Sequence, residues 1–178
     1  MSDVPLLPTD LDPQTRANLH AAHIVNGRLP DDRLGAFRSV AEMLPMHAAQ
    51  TPDKPFLIYY DADGQRQQFT YAEFNARVNQ TANVLANVLN VRAGDRVATI
   101  AYNHSDTVIA YFACWKIGAA LAPQNTAEDD ARIAFILRSS AAVIALVMPD
   151  YLERAERIIA DAPNIRQLVQ LSGSAHTG

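Results

Sequence analysis

Two histidines stand at a spacing that could bring metal ligands together. His20 and His23 are three positions apart, so a helix would present both side chains on one face. A zinc site needs three or four ligands, and no third ligand is visible near this pair in the sequence. We therefore interpret the pair as a chance arrangement and predict no metal site there.

The single cysteine and a run of three acids are the next candidates for chemistry. Cys114 lies in an apolar segment beside Trp115, which predicts a buried, unreactive thiol and not a nucleophile. Residues 128–130 (Glu-Asp-Asp) have the oxygen ligands that Mg²⁺ prefers, but consecutive helical positions point in different directions. The run is better explained as acids in the first turn of a helix over 127–139, where the helix dipole favours them.

Asn103 is the one polar residue placed where a ligand of an α/β protein would bind. It follows a short apolar run over 97–101 and precedes a helix predicted over 104–117. The connection after such a strand is a known position for ligand contacts. Asparagine is also among the commonest helix N-caps, and this second interpretation is favoured.

Phosphate-binding motifs are missing from the sequence. Neither a G-x-x-x-x-G-K-[ST] loop nor a G-x-G-x-x-G turn occurs, and the seven glycines are not clustered. The tail over 172–178 is rich in Ser, Gly and Thr but contains no lysine; the only lysines are Lys54 and Lys116. We interpret this tail as a linker.

Composition narrows the class of protein. A length of 178 residues, 49% hydrophobic and 19% charged, is typical of one globular domain. The net charge of −4 predicts no general attraction to nucleic acid or anionic membranes. The first residues lack the features of a signal peptide, and no apolar run approaches the ~20 residues of a membrane span. One cysteine is compatible with a reducing compartment, and we expect a cytoplasmic protein.

Hydrophobic periodicity predicts the elements before the central sheet. Residues 1–35 form an arm with a short helix near 13–23, and a second helix runs over 38–50. Apolar and polar runs flank Gly64, which predicts a β-hairpin over 56–70. Thr70 and Glu73 have the spacing of a capping box at the start of a long helix, which residues 94–95 end.

From residue 96 onward, strand and helix patterns alternate. Strands are expected over 97–101, 119–122, 142–148 and 165–171, with Pro123 ending the second and Asp150 capping the last helix. This alternation predicts an α/β fold with a doubly wound, mostly parallel sheet, helices on both faces and the small hairpin beside it. Eight side chains are expected to be buried together: Val97, Ile100, Phe112, Trp115, Phe135, Val143, Ile144 and Leu146.

Several short patterns occur in an order that resembles the start of an acyl-CoA synthetase of the AMP-forming, adenylate-forming family. They are Thr-Tyr-Ala-Glu over 70–73, Gly-Asp-Arg-Val over 94–97, the Lys-Ile-Gly-Ala helix exit over 116–119 leading to Pro123, and Ile-Leu-Arg-Ser-Ser-Ala over 136–141. The resemblance covers roughly residues 37–171. It implies that residues 36–171 form an N-terminal subdomain, with an arm over 1–35 and a tail over 172–178.

The resemblance also implies an activity for a longer enzyme. Members of this family convert a carboxylate, such as a fatty or aromatic acid, and ATP to an acyl-AMP and then to an acyl-CoA, with Mg²⁺. Their Ser/Thr/Gly loop, ribose-binding Asp and adenylation lysine have no counterpart in this chain. We therefore assign no catalytic, cofactor-binding or metal-binding residue, expect this chain alone to be inactive, and expect downstream subdomains as partners or self-association in their place.

Two other functions remain open at this point. The chain could be a self-sufficient α/β module that binds or interacts without catalysis, or a flavodoxin-like binder of a small ligand. The ordered patterns and the missing phosphate loop argue against the flavodoxin-like alternative.

Overall fold

In a computed structural model, the chain forms two compact units, Met1–Arg38 and Ser39–Gly178. The structure describes residues 12–23, 39–61 and 63–171. In the first unit, helix α1 spans Pro13–His23, as predicted. The Asp12 carboxylate accepts hydrogen bonds from the amides of Gln14 and Thr15, and the bonds from Thr15 are the main cause of its lowered pKa.

The second unit begins with a helix and a hairpin. Helix α2 spans Val40–Gln50, and strands β1 (Pro55–Tyr60) and β2 (Arg66–Thr70) pair antiparallel. Gly64 has a φ of +74° in the turn, which confirms the predicted hairpin and its need for glycine.

Helix α3 spans Tyr71–Asn83 and starts with the predicted capping box. The Thr70 hydroxyl accepts from the Glu73 amide at 3.2 Å, and a Glu73 carboxylate oxygen accepts from the Thr70 amide at 2.8 Å. The last turn is a π-helix over Val84–Val88, which the periodicity did not predict. The helix also ends before residues 94–95, because Asn90 already turns the chain with a φ of 52°.

Four parallel strands form the central sheet. They are β3 (Arg96–Ile100), β4 (Ala120–Gln124), β5 (Ile144–Val147) and β6 (Gln167–Gln170), in the order β4-β3-β5-β6. The connecting helices are α4 (Ser105–Lys116), α5 (Asp130–Ser139) and α6 (Leu152–Ile159), the last preceded by a 3₁₀ turn over Pro149–Tyr151. The fold class is therefore the predicted doubly wound α/β sheet with a separate hairpin.

Each face of the sheet has its own apolar core. Val97 and Ile144 face α3 and α4, whereas Ile100 belongs to the cluster on the side of α5 and α6. The expectation that these side chains are buried together was wrong, because positions 97 and 100 of one strand point to opposite faces.

Two aromatic residues expected in the core are substantially exposed. Phe135 is 51% exposed on α5, where the Arg132 guanidinium lies 5.5 Å from its ring centre. Trp115 is 37% exposed near the end of α4, with one face against Phe112 at 5.1 Å between ring centres. Residues that end a helix can place a large ring at the rim of the core, a position that helical spacing alone does not distinguish from the interior.

Proline at position 123 does not end its strand. Pro123 lies within β4 and faces Thr99 of β3, and β4 is at the edge of the sheet. An edge strand tolerates proline because one side of its backbone needs no hydrogen-bond donor. Asp150, expected to cap the last helix, lies inside the 3₁₀ turn, and no side chain caps that turn or α6. In the part of the chain that the structure describes, no helix is long and apolar enough to cross a membrane.

Candidate functional site

The carboxyl ends of β3 and β5 form the natural ligand-binding position of this sheet. The chain leaves β3 toward α4 on one face and leaves the adjacent β5 toward α6 on the other. Connections that diverge in this way open a crevice above the strand ends, where ligands of α/β proteins bind.

Four aromatic side chains from three connections form a row at this edge. Ring centres are 4.7 Å apart for Tyr59 and His104, 6.1 Å for Tyr102 and His104, and 6.2 Å for Tyr102 and Tyr151. All three pairs are edge-to-face, the geometry that aromatic quadrupoles favour. The hairpin, the β3–α4 connection and the β5–α6 connection are thereby joined through one set of side chains.

Partial burial raises the pKa of two of these tyrosines. It is the largest cause of the raised pKa of Tyr102, to which the nearby charge of Asp150 adds. Burial also raises the pKa of Tyr59, with further contributions from Asp61 and Asp106. Near neutral pH both hydroxyls are therefore hydrogen-bonding groups and not phenolate nucleophiles.

His104, and not Asn103, caps helix α4. Its backbone is extended, with φ −145° and ψ 154°, and its ring Nδ1 accepts a hydrogen bond from the Asp106 amide at 3.1 Å. Asn103 lies one residue too early for this role and is exposed. Because Nδ1 acts as an acceptor, the ring proton of the neutral imidazole is on Nε2.

Arg154 holds the connection between β4 and α5 against α6. Its guanidinium donates to the Thr126 carbonyl at 2.6 Å, to the Glu128 carbonyl, and to Asp130 Oδ1 at 2.7 Å. The Tyr151 hydroxyl and Thr126 Oγ1 are 3.4 Å apart. The sequence does not show this clamp, because 24 to 28 residues separate the arginine from its partners.

A buried amide completes the polar groups at this edge. Gln124, the last residue of β4, is 5% exposed, and its Nε2 donates to the Ala122 carbonyl at 2.7 Å. Its Oε1 has no hydrogen-bond partner among the described residues. An unsatisfied buried acceptor is unfavourable, so it marks a position where stability has not been maximised.

An apolar groove of about 270 Å³ lies on the α3–α4 face of the sheet and reaches the same edge. Its wall is apolar along the π turn and the last two strands: Val84, Leu85, Leu89, Leu146, Val169 and Leu171. Asp106 is the charged residue in the lining. Val84 and Val88 of the π turn are 47% and 69% exposed, so an unusual apolar surface continues outside the groove.

The candidate residues identified from the sequence are not brought together. Cys114 is fully buried, and burial raises the pKa of its thiol to about 12, so the thiol remains protonated at neutral pH. Helix α5 starts at Asp130, with Asp129 as its N-cap accepting from the Arg132 amide at 2.7 Å, so Glu128 is not in the first turn. The His20 and His23 side chains, and the tail over 172–178, lie outside the described part of the structure.

The aromatic row was missed at the level of sequence. Its only signal is that Tyr102, His104 and Tyr151 come soon after apolar strands, at the ends that a parallel sheet brings together. Nothing in the spacing indicates that Tyr59 of the hairpin joins them.

Comparisons with known proteins identify relatives of this chain. A model of the family described as AMP-binding enzyme matches residues 44–176. A crotonobetaine/carnitine–CoA ligase of Salmonella paratyphi A is 39% identical over 88 residues, which are 49% of this chain and 17% of that protein.

Solved structures give the same relationship. The N-terminal domain of FACL13 from Mycobacterium tuberculosis superposes with a TM-score of 0.66 at 25% identity, covering 75% of this chain and 33% of that one. The anthranilate CoA ligase AuaEII, in complex with anthranoyl-AMP, gives a TM-score of 0.70 at 23% identity, covering 82% and 27%. The second likeness shows the fold alone.

Proposed function

Because the chain belongs to the AMP-binding enzyme family, we propose that it is the N-terminal part of an ATP-dependent acid–CoA ligase. In that reaction a carboxylate oxygen attacks the α-phosphorus of ATP and releases pyrophosphate, and the CoA thiolate then displaces AMP from the acyl carbon. The family match over residues 44–176 carries this proposal. A fatty or an aromatic acid is the substrate class.

The described residues supply the framework of such an enzyme and not its reacting groups. No cluster of three or more His, Cys, Asp or Glu among them could hold Mg²⁺, and the phosphate-binding motifs are missing from the sequence. We propose that ATP, Mg²⁺ and CoA are held by other parts of a longer enzyme, and we assign no catalytic step to a residue of this chain. Its part is to hold one wall of the crevice, through the aromatic row.

The apolar groove and the edge of β6 are the surfaces that we assign to contact with the downstream subdomains. The matched part of the chain covers 17% of its ligase relative and 33% of the FACL13 domain, so both are more than twice as long as this chain. Leu171, the last described residue, lines the groove and follows the edge strand β6. Without downstream chain these apolar surfaces favour self-association.

Acid-dependent exchange of pyrophosphate into ATP tests the proposed activity. The polypeptide encoded by the whole reading frame should catalyse exchange with a panel of fatty and aromatic acids, and the 178-residue chain should not. Exchange by the 178-residue chain alone would contradict our assignment of the reacting groups. A reading frame that stops after codon 178 would favour the non-catalytic module.

Sedimentation of the 178-residue chain tests the proposed contact surface. At micromolar concentration we expect dimers or larger species, and Val88→Glu, which places a charge on the more exposed valine of the π turn beside the groove, should return the chain to a monomer. A strictly monomeric parent would contradict the assignment of this surface to a partner.

The proposal also includes a cytoplasmic location and domain boundaries between residues 35 and 36 and between residues 171 and 172.

A further inference from the structure

The Nδ1 atom of His104 lies near two groups of Asp106, its backbone amide and its carboxylate, and it cannot hydrogen-bond to both in one protonation state. His104 Nδ1 accepts the Asp106 amide hydrogen at 3.1 Å, and the same Nδ1 lies 3.6 Å from Asp106 Oδ2. A neutral imidazole can accept from the amide, whereas a protonated one can only donate, and the carboxylate is then the acceptor within reach.

We propose that His104 is a proton-controlled switch of the first turn of α4. When the imidazole is neutral, its Nδ1 caps the helix through the Asp106 amide. When a proton binds to Nδ1, that cap is lost and the imidazolium forms an ion pair with the Asp106 carboxylate.

Aromatic and acidic residues of three connections surround the His104 ring. His104 packs against Tyr59 from the hairpin and Tyr102 from its own connection, and the pKa of each tyrosine is raised. Asp61 lies near Tyr59, and Asp150 and Tyr151 of the β5–α6 connection lie near Tyr102.

The switch reaches the groove through Asp106. Asp106 is one of the residues that line the groove, so formation of the ion pair changes the charge beside the groove. Histidine is the side chain whose ordinary pKa places its charge change between roughly pH 5 and 8. The groove that we assign to the downstream chain therefore presents a different charge at the two ends of that range.

Nitrogen NMR of the 178-residue chain is a direct test, with the His104 ring assigned by its loss in His104→Asn. At the alkaline end the ring should be the Nε2–H tautomer, and the Asp106 amide signal should move with the same midpoint as the ring. Below that midpoint the Asp106 amide should exchange with solvent about fivefold faster, after correction for intrinsic rates, as expected for a lost cap.

Two variants separate the switch from a purely structural cap. His104→Asn keeps an acceptor that does not titrate, so the Asp106 amide should stay fixed between roughly pH 5 and 8. Asp106→Asn removes the acceptor of the imidazolium, so the His104 midpoint should fall. A Nδ1–H tautomer at high pH, an Asp106 amide that ignores His104, or an unchanged midpoint in Asp106→Asn would each overturn the proposal.

Discussion

The amino ends and the carboxyl ends of the four central strands, here called the amino and carboxyl edges, differ in the contacts that cover them. At the amino edge, arginines bind backbone carbonyls of distant segments: Arg96 reaches Ser140 and Ala141, and Arg166 reaches Leu89 and Asn90. At the carboxyl edge Arg154 makes similar bonds to the carbonyls of Thr126 and Glu128, but here aromatic rings also meet each other above the strand ends. Arginine–carbonyl bonds are therefore present at both edges, and the aromatic row distinguishes the carboxyl edge.

We interpret this difference as a division between an edge that stabilises the fold and an edge that is the candidate ligand site. The arginine bonds satisfy carbonyls where helices end and strands begin, which is favourable for stability and leaves nothing for a ligand. The carboxyl edge retains a buried acceptor without a partner among the described residues, Gln124 Oε1, and two tyrosines whose pKa is raised. Natural proteins give up stability at sites that bind or react.

Among the polar contacts compared, loss of Arg96 in Arg96→Met should have the largest effect on stability. The side chain donates to the carbonyls of Gly94, Ser140 and Ala141 at 2.9–3.1 Å, and its loss leaves part-buried acceptors unpaired. We expect the free energy of unfolding to fall by about 2–3 kcal/mol, measured by urea unfolding. Arg157→Met is the control, because Arg157 is exposed and makes a 3.3 Å bond one turn away; it should change stability by less than about 0.5 kcal/mol. Equal losses of stability in the two variants would show that the bonds of Arg96 to distant carbonyls stabilise the fold no more than the exposed bond of Arg157.

Trp115→Ala, near the amino edge, should have an intermediate effect. A fully buried tryptophan would cost about 3–5 kcal/mol, but this ring is 37% exposed, so we expect a loss of about 1–2 kcal/mol. Phe74→Ala is the matched control, since Phe74 is fully buried among other rings and should show the full loss. Comparable losses from the two variants would mean that Trp115 is more enclosed than its exposure indicates.

Gln124→Met, at the carboxyl edge, should change stability in the opposite direction. A thioether of similar length removes the unpaired Oε1 and loses one amide bond to Ala122, so we expect a gain of about 0.5–1 kcal/mol. Gln167→Met on the exposed side of β6 should be nearly neutral. A clear loss of stability in Gln124→Met would show that the acceptor is satisfied, which would weaken the contrast between the edges.

Tyr151→Phe should have the smallest effect on folding. The hydroxyl is 3.4 Å from Thr126 Oγ1, a weak bond, so we expect less than about 0.5 kcal/mol by the same unfolding measurement. In the full-length polypeptide the variant should nevertheless lower acid-dependent pyrophosphate exchange. Unchanged exchange would argue that the carboxyl edge does not border the reaction crevice.

Local signals allowed much of the fold to be predicted from sequence. The capping box of Thr70 and Glu73, the positive φ of Gly64 and the strand–helix alternation each depend on a few neighbouring residues, and all three are confirmed. Pro123 was misinterpreted because its tolerance depends on whether β4 is central or at an edge, which is a property of the whole sheet.

The candidate site depends on contacts that are distant along the chain, and it was therefore not predicted. Tyr59 and His104 are 45 positions apart, and Arg154 is 28 positions from Thr126. The sequence predicts Asn103 as the N-cap of α4 because asparagine is a favoured cap residue. In the structure the N-cap is His104, which has the extended backbone conformation of a cap. Propensity ranks residue types, but the turn geometry selects the position.

The π turn over Val84–Val88 has a consequence for the length of helix α3. Its hydrogen bond from the Leu89 amide to the Val84 carbonyl spans five residues instead of four, so this segment carries one residue more than an α-helix of the same rise. Removing one residue from this segment would let it close as an ordinary α-helical turn, while the residues before and after it keep their buried and exposed sides. The segment 84–88 is thus a point at which one deleted codon would alter only the local wall of the groove and leave the rest of the helix in register.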